Sequence, residues 1–150
     1  MIGRTKSIRR GLIAVVLLFV LAFIIDSTQE PNATIKTVKG NIPVPDYQGT
    51  YSWSSPFKSL SADYPIPPEM LKDKTATVVA PSSLLLIKFD YKPIKGSLYA
   101  NLWIGEKAVK QEITDGNKIK VPVEKGIYIY DIWAKWKEGS RSYVFAVEVK

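Results

Sequence analysis

Hydrophobic and polar positions fall into three regimes along this chain. Residues 12–25 are apolar without interruption, fourteen positions in a row. Such a run offers no polar face to water, which predicts a helix meeting apolar surroundings on every side. Between 26 and 72 the pattern breaks up, and seven of the ten prolines lie from Pro31 to Pro68. From 73 onward, apolar and polar residues alternate with the period of two that marks half-buried strands.

Seven segments carry that alternation: 75–79, 84–91, 97–103, 107–114, 117–121, Gly126–Trp136 and 140–149. Gly105, Asp115-Gly116, Lys125-Gly126 and Glu138-Gly139 punctuate them, and Lys92-Pro93-Ile94-Lys95-Gly96 reads as a loop. Strands of this spacing predict a seven-stranded β-sandwich, so the fold class is all-β. Upstream, 34–39 alternates into Gly40-Asn41, predicting a hairpin with 42–44. Prolines 43 and 45 confine that second arm to a sheet edge. Residues 49–53 form a short strand candidate, whereas Tyr64-Pro65-Ile66-Pro67-Pro68 is too proline-dense for a helix or a central strand.

Charge changes the picture at the N-terminus. Of the net +7, Arg4, Lys6, Arg9 and Arg10 contribute +4 before the first acid, Asp26. Basic residues leading into an apolar run mark a secretory signal or a signal anchor, with the basic end kept in the cytoplasm. No Ala-x-Ala-like triplet follows Ile25, which favours an uncleaved anchor over secretion after cleavage. The expected organisation is a cytoplasmic leader at 1–10, a transmembrane signal anchor at 11–28, a stalk and proline-rich extension with short strands at 29–72, and an exported β-sandwich at 73–150. Membrane contact is thus expected through 11–28.

Composition narrows the chemistry. The chain has no cysteine and no histidine, which excludes disulfides, Ser-His-Asp and Cys-His catalysis and the usual zinc clusters. Arg141 is the one arginine after Arg10, and a basic stripe is lacking, so nucleic acid is not an expected partner. Asp63, Glu69, Asp90 and Asp131 could serve a hydrolase only if two were opposed across a cleft. Serines 52, 54, 55, 59 and 61 near Lys58 are the material for a Ser-Lys dyad, but are ordinary loop and edge composition. Asp115-Gly116-Asn117 reads as a turn rather than a calcium loop. No enzyme activity and no cofactor is expected, and the alternative carried forward is an exported envelope hydrolase.

The aromatics are the remaining signal. Along Gly126–Trp136, Tyr128, Tyr130, Ile132, Ala134 and Trp136 share one face and should point into the core. Ile127, Ile129, Asp131, Trp133 and Lys135 share the other. A charge on each side of Trp133 sets its indole at the outer surface, making Trp133, Asp131 and Lys135 the candidate ligand-binding residues. Either they form a stacking platform for an envelope protein or a wall polymer, or the proline-rich segment 40–72 covers Trp133 through Tyr51 or Trp53. Covering is expected, because folded chains seldom leave a large apolar patch bare.

Glu124-Lys125-Gly126-Ile127-Tyr128-Ile129-Tyr130 resembles the start of strand F in immunoglobulin-like and fibronectin-like sandwiches. The resemblance implies that Tyr128 is the structural corner tyrosine, its hydroxyl bonded to backbone at the preceding turn. It sets Tyr130 where antibody domains carry the second cysteine, facing Leu85 or Ile87, with Trp103 on strand C. The missing disulfide excludes a true antibody-type domain. A charged leader, the 49–53 strand, Asp63-Tyr64-Pro65 and the Gly-x-Tyr-x-Tyr pattern are also similar to small exported proteins of Bacillus-type bacteria, many of which carry a lipid-attachment cysteine absent here. That likeness implies an address in the cell envelope and no site residue.

Overall fold

In the computed structural model, which describes residues 2–28, 30–56 and 58–150, the apolar run is helical. Helix α1 (Ile2–Thr28) takes in the basic leader as well. Its described side chains, at 8, 10 and 11–22, are exposed, while those at 2–7, 9 and 23–28 lie outside the described residues. Among the described residues no helix is long and apolar enough to cross a membrane. The expected transmembrane span 11–28, whose side chains at 23–28 lie outside the described ones, finds no support there.

The unit Pro31–Lys150 is built from strands. In chain order these are β1 (Ala33–Thr37), β2 (Pro43–Val44), β3 (Tyr47–Ser55), β4 (Lys58–Ala62), β5 (Thr77–Val79), β6 (Leu84–Phe89), β7 (Tyr99–Ile104), β8 (Lys107–Gln111), β9 (Lys118–Lys120), β10 (Gly126–Trp136) and β11 (Gly139–Val149), with the short helix α2 (Pro67–Met70) after β4. They form a four-stranded sheet, β2-β1-β6-β9, and a seven-stranded sheet, β4-β3-β11-β10-β7-β8, with β5 parallel to β11. The fold is therefore all-β with two sheets, and β5 to β11 correspond to the seven expected strands.

Alternation decides what each face meets. Tyr130, Ile132 and Ala134 on β10 are fully buried, and Trp136 nearly so. They pack with Phe145, Val147 and Val149 of β11 and with Leu85 and Ile87 of β6 in one core. The buried Val, Leu, Ile and Phe side chains among them contribute about 1.5–3 kcal/mol each. Tyr130 stacks on Phe145 with ring centroids 5.3 Å apart. At one end Trp136 meets Trp53 at 5.9 Å and Phe89 at 5.2 Å, both edge-on. Trp53 thus belongs to the core and does not cover Trp133. All of this core comes from residues 31–150, so the unit has what it needs to fold by itself.

The proline-rich segment is the main departure from the sequence reading. Residues 31–72 are not an extension beside the sandwich: β1 and β2 widen one sheet and β3 and β4 the other. The Gly40-Asn41 hairpin forms, both residues having positive φ (84° and 55°), as its turn requires. Its second arm, with Pro43, lies at the sheet edge. The expected stalk is cut short, since Pro31 is fully buried. Prolines do start a helix after all: Pro67 and Pro68 open α2, at positions where the missing N–H is not needed.

Candidate functional site

The outer face of β10 carries the residues singled out from the sequence, and the structure treats each differently. Asp131 is buried at 5% exposure, Trp133 is half-buried and Lys135 is exposed. Both Asp131 carboxylate oxygens are engaged: the Trp103 indole N–H donates to Oδ1 at 2.9 Å, and the Trp133 indole N–H donates to Oδ2. Trp133 also stacks flat against Tyr99, centroids 6.2 Å apart. Burial, reinforced by the Asp131 charge, pushes the Tyr99 phenol up. A buried carboxylate needs such donors to satisfy its oxygens.

The cover comes from the proline-rich segment, though not from Tyr51 or Trp53. Tyr64, Pro65, Ile66, Pro67 and Met70 lie over Asp131, Trp103 and Trp133, leaving a gap of about 170 Å³. The Tyr64 N–H donates to Thr50 Oγ1 at 3.1 Å and fixes the segment on β3. Trp133, Asp131 and Lys135 therefore do not make one open platform. Lys135 serves the opposite end of the strand: its carbonyl accepts from the Ile94 N–H at 2.7 Å, and its N–H donates to Ser97 Oγ at 3.1 Å.

The Tyr128 hydroxyl donates to the Glu124 carbonyl, four residues upstream, at 2.9 Å. Trp103 lies on β7, on the outer face with Asp131, while Ala100 fills the core position. The Ser-Lys candidates lie together on the β3–β4 hairpin, with Ser52 opposite Ser61 and Ser55 opposite Lys58. Ser54 and Ser59 share a hydroxyl hydrogen bond at 2.9 Å, and Ser55 Oγ donates to the Lys58 carbonyl. Asp90 accepts from the backbone and side-chain amides of Asn32, and Asp63 and Glu69 are exposed. Asp115-Gly116 forms a turn with φ of 50° and 76°, and Asp115 pairs with Lys118 at 2.9 Å. No cluster of three metal-ligating side chains occurs among the described residues.

The open site lies elsewhere, at the side of the sandwich. A groove of about 940 Å³ runs between β6, the loop at 92–96 and the turn at 115–117. Its apolar lining is Ile87, Phe89, Ile94, Leu98 and Ile113. Phe89, Leu98 and Ile113 pack against the core on one side and are left partly bare on the other. Two causes keep it open. β9 is only three residues long, and its alignment with β6 ends at Leu86 with one further backbone bond from Ile87 to Asn117; the loop is tied back by the Ile94–Lys135 backbone bond. Sequence reasoning passed over this place as a loop. The signal was there in Ile94, an isoleucine within Lys92-Pro93-Ile94-Lys95-Gly96, a turn-rich stretch that holds it exposed.

Comparison with protein-family models, curated proteins and solved structures finds no match to this chain.

Proposed function

We propose that this chain is a single-pass membrane protein that holds a binding or scaffolding domain outside the cytoplasmic membrane. The groove carries the reading: it is a preformed, mostly apolar slot of about 940 Å³, within the size range of ligand pockets, about 300–1,000 Å³. The anchor rests on the sequence, where four basic residues precede fourteen apolar ones. The domain is read as immunoglobulin-like. The pairing of β6 with β9 in one sheet and the order β7-β10-β11 in the other correspond to strands B–E and C–F–G. β8 corresponds to the added C′ strand, and the Tyr128 hydroxyl bond supports the corner. Burial of Arg141, the arginine of this unit, supports a partner other than nucleic acid. An envelope protein or a wall polymer is the partner class proposed.

Two measurements test this. The full-length protein should pellet with membranes and resist alkaline extraction, and recovery from the medium with an N-terminus beyond Ile25 would mean a cleaved signal instead. Cross-linking in its own membranes should capture a partner with the native protein and lose it with Leu98→Trp, which fills the groove. Identical capture by both would remove the groove from the function.

A further inference from the structure

The groove has a polar edge as selective as its apolar floor. Lys88, Lys92 and Lys95 line it and are exposed. Asp115, the acid in the same lining, is paired with Lys118 at 2.9 Å, so its charge is already matched away from the three lysines. The rim is therefore cationic while the walls are aliphatic and aromatic. Its backbone is closed to a peptide strand at Ile87: the Ile87 N–H donates to the Asn117 carbonyl at 2.9 Å, and the Asn117 side-chain amide donates to the Ile87 carbonyl at 3.1 Å. A β-strand added to this edge would find its ladder position at Ile87 taken. A hydrocarbon chain needs no ladder. Lysines on flexible stems adapt to an anionic head without demanding forked geometry.

Resting on the reading of the groove as a binding site, we infer that its occupant is an anionic single-chain amphiphile, with the acyl chain against Phe89, Leu98 and Ile113 and the acidic head among Lys88, Lys92 and Lys95. The wall is preformed, because Ile94 and Ser97 are bonded to Lys135, so binding costs little reordering.

The test uses residues 30–150, whose core is self-contained, titrated with cis-parinarate, a fatty acid that fluoresces in apolar sites. Saturable one-to-one binding is expected. Oleate or oleyl phosphate should displace the probe about tenfold better than oleyl alcohol, and the order of the two acids tells a carboxylate head from a phosphate. Lys92→Glu with Lys95→Glu should weaken the probe by about tenfold at low salt, without changing the melting temperature. Ile94→Asp, at an exposed position, should weaken it too and covers the case in which Leu98→Trp fails to fold. No saturable binding, equal displacement by acid and alcohol, or indifference to charge reversal would overturn the inference. If parinarate fails while Leu98→Trp still loses the cross-linked partner, the amphiphile is wrong and the binding module stands. If neither responds, both fall.

Discussion

The Tyr143 hydroxyl donates to the Pro31 carbonyl at 2.5 Å, across 112 positions of sequence. Arg141 reaches the same carbonyl through Nη1 at 3.3 Å, while its Nη2 donates to Gln48 Oε1. The guanidinium also lies 5.2 Å over the Tyr51 ring. The first buried residue of the unit is thus tied to its central strand.

Tyr143→Phe should cost about 1 kcal/mol, since Pro31 keeps one donor and the ring keeps its contact with Phe89. Arg141→Lys should cost more, because one ammonium cannot reach both Pro31 and Gln48. Urea denaturation measures both, and the midpoint should fall without a change in slope.

Tyr128 and Tyr130 should respond in opposite directions. The Tyr128 hydroxyl has its partner at Glu124 in a half-exposed setting, so Tyr128→Phe should cost about 0.5–1.5 kcal/mol. The Tyr130 hydroxyl is buried and finds no partner among the described residues. Tyr130→Phe removes a desolvated polar group and should be neutral or stabilising by about 1 kcal/mol. Thermal denaturation of the two variants side by side decides it.

Asp131→Ala should be severe, on the order of 3 kcal/mol, because it strands two indole N–H groups under the Tyr64–Met70 cover. Trp133→Ala should cost about 2–3 kcal/mol through lost packing on Tyr99 and the cover. A stable Trp133→Ala variant with lost partner capture would instead restore the platform reading of Trp133, Asp131 and Lys135.

Stability should fall as pH rises through the range set by Asp46. Burial, partly offset by its own backbone N–H, raises the Asp46 carboxyl from 3.8 to about 6. The folded state therefore holds this proton where the unfolded chain has released it, and between those values stability drops with increasing pH. Asp46→Asn should melt above the native protein at about pH 8 and match it at about pH 4. A difference that persists at the acid end would assign the effect to another group.

What could be read without coordinates was whatever alternation or turn chemistry encodes locally. The core face of β10, the Gly40-Asn41 hairpin and the edge position of Pro43 all follow from neighbouring residues. What could not be read depends on pairing at a distance. Ala33 opposite Phe89 brings β1 into the first sheet, and nothing in either segment names the other. β4 was hidden because Lys58–Ala62 is a serine-rich edge without a buried face. Asp131 was assigned the correct face of its strand, yet the cover that buries it begins far upstream, at Tyr64. The groove arises from where β9 stops, and strand ends are the least legible feature of a sequence.

β11 has β10 along one edge and, along the other, β3 followed by β5. Its neighbour β3 approaches so closely that a Cβ on Gly139 would lie 1.9 Å from the Ser52 carbonyl oxygen. Every one of these partners is made by the ribosome before β11 is. Seven-stranded pairing must wait for Gly139–Val149, and until then β3, β5 and β10 have no common strand to join. Synthesis order therefore makes Gly139–Val149 the strand that closes the seven-stranded sheet.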